Sequence, residues 1–194
     1  MKIHTIFATA LTVALSVSSC SKQSGEVFTL TSPDGKLELS VQKDSAGIWE
    51  YTFAGNKEKL IKGSRLGYMS VSQGIIPSAE WPVSVSEQGH EGIWKPVWGK
   101  REEVKDHYNE LTLTFAAPEG QQGLDTLKIV FRAYNDGLAF RYVVPETENN
   151  LIEIKQELTQ YNFAGDYTSW FYNGEYHNLG PDKLTEVDAT VCRL

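Results

Sequence analysis

From Val27 onward, apolar and polar residues alternate along the chain instead of recurring at helical spacing. In Lys36-Leu37-Glu38-Leu39-Ser40-Val41-Gln42 every second residue is apolar. Successive side chains of an extended chain point to opposite sides, so Leu37, Leu39 and Val41 fall on one face of a half-buried strand. The same alternation runs through Leu111-Thr112-Leu113-Thr114-Phe115 and Leu127-Lys128-Ile129-Val130-Phe131-Arg132. Ser32-Pro33-Asp34-Gly35, Ala54-Gly55-Asn56 and Asn135-Asp136-Gly137 supply Gly, Asn or Asp where a chain reversal calls for positive φ. The last of these separates Leu127 to Tyr134 from Leu138 to Val144 and predicts a hairpin. Arg132 and Arg141, on either side of that turn, are expected to lie across from each other and to pair with acidic neighbours. Asn109-Glu110 is expected to open a strand, with a local role. Residues 74 to 108 are richer in Gly, Pro and Trp, and the pattern predicts a long irregular excursion there. No convincing amphipathic helix follows the N-terminal segment. The fold class predicted is therefore all-β and antiparallel, a sandwich or barrel.

The N-terminus departs from this pattern. Lys2 is followed by an apolar stretch from Ile6 to Val17, interrupted only by Thr9, Thr12 and Ser16, and then by Ser18, Ser19 and Cys20. A bilayer span needs about 20 apolar residues, so this stretch reads as the core of an export signal rather than a membrane helix. Val17-Ser18-Ser19-Cys20 resembles a bacterial lipobox, whose cysteine is acylated and becomes the new N-terminus. The alternative is an ordinary secretory signal cut nearby. The expected division is a lipoprotein signal peptide at 1–19, a polar tether at 20–26 and a β-sandwich domain at 27–194. The expected location is the bacterial cell envelope, facing the periplasm or anchored in the outer membrane.

The 194 residues are 41% hydrophobic, 11% aromatic and 22% charged, a balance that supports one globular core. The net charge is −7, and loss of Lys2 with the leader makes it −8. That charge argues against a nucleic-acid partner held by phosphate contacts. Cys20 and Cys192 lie near opposite ends of the chain, which excludes a disulfide framework.

Familiar catalytic signatures are missing: the sequence has no phosphate loop, nucleophile elbow or paired-histidine zinc helix. His90, His107 and His177 match no zinc spacing. Trp94, Trp98 and Trp170 invite a substrate-binding role, since an indole face suits the C–H face of a pyranose. Their alternative is to fill the core or anchor loops, where a tryptophan buries on the order of 200 Å².

Three stretches are more distinctive than composition requires. They are Trp94-Lys95-Pro96-Val97-Trp98-Gly99-Lys100-Arg101 with Asp106-His107-Tyr108-Asn109-Glu110-Leu111 behind it, Phe131-Arg132-Ala133-Tyr134-Asn135-Asp136-Gly137-Leu138-Ala139-Phe140-Arg141-Tyr142, and Trp170-Phe171-Tyr172-Asn173-Gly174-Glu175-Tyr176. Together, behind an export signal, they resemble the N-terminal domain of glycoside hydrolase family 97, a bacterial family of α-glucosidases and α-galactosidases. The likeness runs from about Phe28 to about Val187.

That resemblance implies an antiparallel β-supersandwich of the galactose-mutarotase-like type, normally followed by a catalytic (β/α)8 barrel. The catalytic carboxylates of the family belong to the barrel, so no catalytic residue is expected in this chain. The sandwich is expected to support the barrel, face an α-linked oligosaccharide and contribute one carboxylate to a calcium ion. Glu175, in Glu175-Tyr176, matches the position of that ligand; an exposed loop glutamate is the alternative. The resemblance also implies that barrel and later sandwich strands are absent, so the chain is expected to be a fragment. Leu111, Leu113, Phe115, Leu127, Ile129 and Phe131 are then expected to be incompletely buried, and the open sheet edge to promote self-association. A stand-alone, carbohydrate-binding lipoprotein sandwich is the other function class.

Overall fold

The computed structural model describes residues 26–119, 126–144, 153–172 and 178–187. Strands β1 (Phe28–Thr31), β2 (Leu37–Lys43), β3 (Trp49–Gly55) and β4 (Glu58–Arg65) form an antiparallel meander in that order. The chain then makes a short pair, β5 (Tyr68–Ser70) and β6 (Gly74–Ile76). A second antiparallel sheet follows, from β7 (Val83–Trp94), β8 (Val104–Ala116), β9 (Thr126–Tyr134) and β10 (Leu138–Val143), in the order β10-β9-β8-β7. Strand β11 (Ile154–Glu157) adds to β5, and β12 (Thr168–Tyr172) pairs with β13 (Asn178–Lys183). Among the described residues the helical structure is one short 3₁₀ turn at Leu184–Glu186. None of their helices is long and apolar enough to cross a membrane.

The alternation read from the sequence decides which faces meet. Leu39 and Val41 of β2, and Trp49 and Tyr51 of β3, turn inward from the first sheet; Leu111, Leu113, Phe115, Leu127, Ile129 and Phe131 turn inward from the second. The two faces form one core, in which the Trp49 and Phe115 rings meet edge to face at 5.1 Å and Tyr51 lies 5.6 Å from Phe140. The six residues of β8 and β9 expected to be incompletely buried are fully buried. The correction has a plain cause: β1, β2 and β3 already cover that face.

The Asn135-Asp136-Gly137 hairpin forms as predicted, and the Tyr134 N–H donates to the Gly137 carbonyl at 2.8 Å. Its turn is tied to the first sheet, because the Asp34 N–H donates to Asn135 Oδ1 at 3.0 Å. The outer edge of β4 and its corner is covered by an extended segment. Leu158 N donates to Gly67 O, Gln160 N to Arg65 O, Lys62 N to Asn162 O and Ala164 N to Leu60 O, all at 2.8–3.0 Å. Pairing an edge in this way removes a template for association.

Three expectations are corrected here. Residues 74 to 108 contain β6, all of β7 and the start of β8, and most of the supposed excursion is a long regular ribbon. Most of β7 is exposed, so burial imposes no alternation on its sequence. Asn109 and Glu110 lie inside β8, which begins at Val104. Arg132 faces Ala139 and Arg141 faces Val130, so the two arginines are diagonal neighbours and not opposite partners.

Candidate functional site

The register of the second sheet gathers its polar residues on the face turned away from the core. Gln88 pairs with Glu110 and Glu110 with Arg132, so these three side chains stand in one row across β7, β8 and β9. His90, Tyr108 and Tyr134 form the next row by the same register. Gln88 Nε2 donates to Glu110 Oε1 at 2.6 Å, and Arg132 Nε donates to Glu110 Oε2 at 2.7 Å. The Arg132 guanidinium lies 4.2 Å from the Tyr108 ring centroid, on which the His90 ring stacks at 5.0 Å. Tyr134 closes against Tyr108 at 5.2 Å, and His90 Nε2 lies 3.3 Å from Asp106 Oδ2.

Arg132 does pair with an acidic neighbour, as expected. Glu110 is 6% exposed although it sits on the outer face of a sheet. Desolvation pushes its carboxyl up, but the hydrogen bonds from Arg132 and Gln88, with the positive charges of Arg132 and Arg141, outweigh that and hold it below the usual carboxylate range. The bond to Glu110 likewise keeps Arg132 protonated, and desolvation raises the Tyr108 hydroxyl. At neutral pH this array is a fixed hydrogen-bonding surface, with Glu110 an acceptor rather than a proton donor. Asp34, the other described carboxyl with a clear shift, is also lowered, chiefly by the Ser32 hydroxyl. Beside the array, an open cleft of about 520 Å³ runs between β1 and the β7–β8 ribbon, with Thr29, Thr31, Glu87 and Asn109 among its walls.

Glu110→Gln is expected to cost about 2 kcal/mol of stability at pH 7, because a charge-assisted hydrogen bond is lost from a covered site. The wild-type contribution is present above the unfolded carboxyl value of about 4.3 and disappears as pH falls through the lowered folded value. Urea melts at pH 7 and pH 3 check this. The gap between wild type and variant should close at the acid end.

The tryptophans chosen from the sequence do not join this array. Trp94 and Trp98 sit at the free end of the β7–β8 ribbon, 59% and 88% exposed, and Trp170 of β12, in a different sheet, is 73% exposed. None of the three fills the sandwich core of the described residues. Trp49 and Trp81 are the tryptophans that are buried, because β3 and the Ser78–Trp81 turn carry them inward. Glu175, Cys20 and Cys192 lie outside the described residues. Among the described residues no three His, Cys, Asp or Glu side chains come together. A calcium ion takes about 6–8 oxygen ligands, so the described part does not itself form a calcium shell. Gln88 carries no signal in the sequence, while His90 is weighed there only as a zinc ligand and Tyr108 and Tyr134 only as members of two distinctive stretches. Only the strand register aligns residues about twenty positions apart.

A family model described as glycosyl-hydrolase 97 N-terminal matches residues 30–190. A retaining alpha-galactosidase of Bacteroides thetaiotaomicron is 26% identical in an alignment of 185 positions that covers 87% of this chain and 26% of that protein. Among solved structures, a glycoside hydrolase family 97 enzyme from Pseudoalteromonas sp. strain K8, solved in complex with acarbose and, as a variant, with panose, is 32% identical and superposes with a TM-score of 0.64. The match covers 75% of this chain and 22% of that one. A beta-arabinopyranosidase, 23% identical over 74% of this chain and 22% of its own, shares the fold with a TM-score of 0.62. The chain thus spans about a quarter of the length of the relatives it matches. Since the family model extends across both sheets and the polar array on the outer face of the second, this chain belongs to the family of glycosyl-hydrolase 97 N-terminal domains.

Proposed function

We propose that this chain serves as the N-terminal β-sandwich portion of an α-glycosidase acting on α-linked glucosides or galactosides. In that role it supports a catalytic (β/α)8 barrel. Glu175 supplies one carboxylate to a calcium ion shared with the barrel, and Trp170, close to Glu175 in sequence, turns its indole face toward the oligosaccharide. When bound, such an ion would polarise a sugar hydroxyl or hold a water. The observation that carries this reading is the family match over residues 30–190, together with the small share of each relative that the chain spans.

Glycoside cleavage needs two carboxylates about 5–9.5 Å apart on either side of the scissile bond, and in this proposal both come from the barrel. The chain alone is expected to leave p-nitrophenyl α-glucoside and α-galactoside intact, with and without calcium. Hydrolysis that disappears when a carboxylate of this chain is replaced would refute the assignment. Nucleotide sequence downstream of the Leu194 codon tests it from the other side. A barrel-coding region in any frame supports it, and an unrelated protein with its own start counts against it.

The exposure of Trp94, Trp98 and Trp170 favours a second reading, a stand-alone lipoprotein that binds carbohydrate on its aromatic surface. Both readings place the protein at the bacterial envelope through acylation of Cys20. A clickable palmitate should label the wild type and leave Cys20→Ala unlabelled; equal labelling of the two would remove the anchor.

A further inference from the structure

Asp-Gly occurs twice in the sequence, at Asp34-Gly35 and Asp136-Gly137, and both pairs sit in turns. The two turns meet at one end of the sandwich, where the Asp34 N–H donates to Asn135 Oδ1. An Asp-Gly pair carries its own chemistry, because glycine has no Cβ to shield its amide nitrogen. That nitrogen attacks Cγ of the protonated Asp carboxyl, and the amide hydrogen leaves with the carboxyl OH as water. A five-membered succinimide results. Water then opens the ring, and opening at the α-carbonyl leaves the main chain running through the side-chain carbons as isoaspartate. One water lost and one regained leave the mass unchanged. The reaction needs an amide nitrogen free of other bonds and a carboxyl free to turn onto it.

Asp34 has neither freedom. The Gly35 N–H donates to the Ser32 carbonyl at 2.9 Å. Asp34 Oδ1 accepts from the Ser32 hydroxyl at 2.7 Å and from the Lys36 N–H at 3.1 Å, and Oδ2 lies 3.1 Å from Lys36 Nζ. These partners, the Ser32 hydroxyl first, keep the carboxyl ionised by holding it below the usual carboxylate range. Asp136 is placed oppositely. It is exposed, and among the described residues no hydrogen bond or ion pair holds its carboxylate or occupies the Gly137 N–H. The turn is closed instead through the Gly137 carbonyl, which accepts from Tyr134 N–H.

We infer that Asp136 is a site of spontaneous covalent modification, converting to isoaspartate through the Gly137 nitrogen while Asp34 keeps its original linkage. Isoaspartate adds a methylene to the main chain, here inside a loop fixed by the Tyr134–Gly137 bond and the Ala133–Leu138 pair. The lengthened loop no longer sets Asn135 Oδ1 against the Asp34 N–H. Isomerisation therefore unlatches the β9–β10 hairpin from the first sheet.

The full chain, processed and extracted in mild detergent, would be aged at neutral pH and body temperature and then digested with trypsin. Electron-transfer fragmentation distinguishes the two linkages, and isoaspartyl methyltransferase with labelled S-adenosylmethionine marks the product. Peptides 133–141 and 23–36 separate the two aspartates, and 156–183 carries Asn173-Gly174, which cyclises by related chemistry and lies outside the described residues. Isoaspartate is expected to accumulate in 133–141 without change of mass. Asp34 should lag roughly tenfold or more, since its bonds must break first. Ser32→Ala, which frees the Asp34 carboxyl, should hasten modification of 23–36. Gly137→Ala should fold as the wild type does, because the added Cβ meets nothing within 4 Å and φ lies outside the left-handed region. It should accumulate far less isoaspartate in 133–141. Aged wild type should melt about 2–4 °C below fresh protein as one tie is lost, and aged Gly137→Ala should not. A 133–141 peptide that keeps its original linkage while the urea-unfolded chain isomerises would overturn the inference, as would methyl label confined to 23–36 or 156–183. Equal accumulation in 23–36 and 133–141 would also overturn it, showing that the dipeptide alone sets the rate. Isomerised protein that melts as fresh protein does would overturn the latch.

Discussion

Phe131→Ala is expected to lower the unfolding free energy by about 3–5 kcal/mol. Phe131 is fully buried, its ring lies 5.6 Å from that of Phe140, and its register neighbours are Leu111 and Phe140. Truncation removes the transfer free energy of the ring and leaves a cavity between two sheets that cannot close without shifting both. A domain of this size has only about 5–15 kcal/mol in total, so the variant should unfold at markedly lower urea concentration with an unchanged slope. A loss below about 1 kcal/mol would mean that this face is open in solution, as the expectation of missing strands had implied.

Gly67→Ala is expected to cost about 3 kcal/mol or more, from backbone geometry rather than burial. Gly67 has φ of 104°, in the region that side chains rarely adopt, and an added Cβ would collide with the Ile76 carbonyl oxygen. The residue is also fixed from both sides. Its N–H donates to the Tyr142 hydroxyl at 2.8 Å, and its carbonyl accepts from Leu158 at 2.9 Å. The chain therefore cannot rotate away from the clash without releasing β10 and the segment that covers the β4 edge. Gly35→Ala is the control: φ there is 71°, but nothing lies within 4 Å of the added atom, and about 1 kcal/mol is expected. Equal losses in the two thermal melts would show that φ, and not the Ile76 contact, sets the cost.

The sequence by itself determined the strand class, the inward faces of β2, β8 and β9 and the hairpin at Asn135-Asp136-Gly137. In each case a local rule suffices: a strand half in water must alternate, and a short Asn-Asp-Gly stretch between two alternating runs marks the reversal, although none of its three residues takes the positive φ expected of it. The three distinctive stretches also determined the family, which the match over residues 30–190 bears out. Tertiary structure decided the rest. Residues 74 to 108 read as irregular because a ribbon exposed on both faces is under no pressure to alternate. Trp94 and Trp98 could not be assigned by residue type, since an indole serves a core or a surface equally well; the length of β7 past β9 puts them in solvent. Burial of Leu111, Leu113, Phe115, Leu127, Ile129 and Phe131 depended on what covers that face, and the covering strands β1, β2 and β3 come from the other end of the sequence. The array of Gln88, Glu110, Arg132, His90, Tyr108 and Tyr134 exists only by register, and a slip of one residue would turn each side chain to the opposite face.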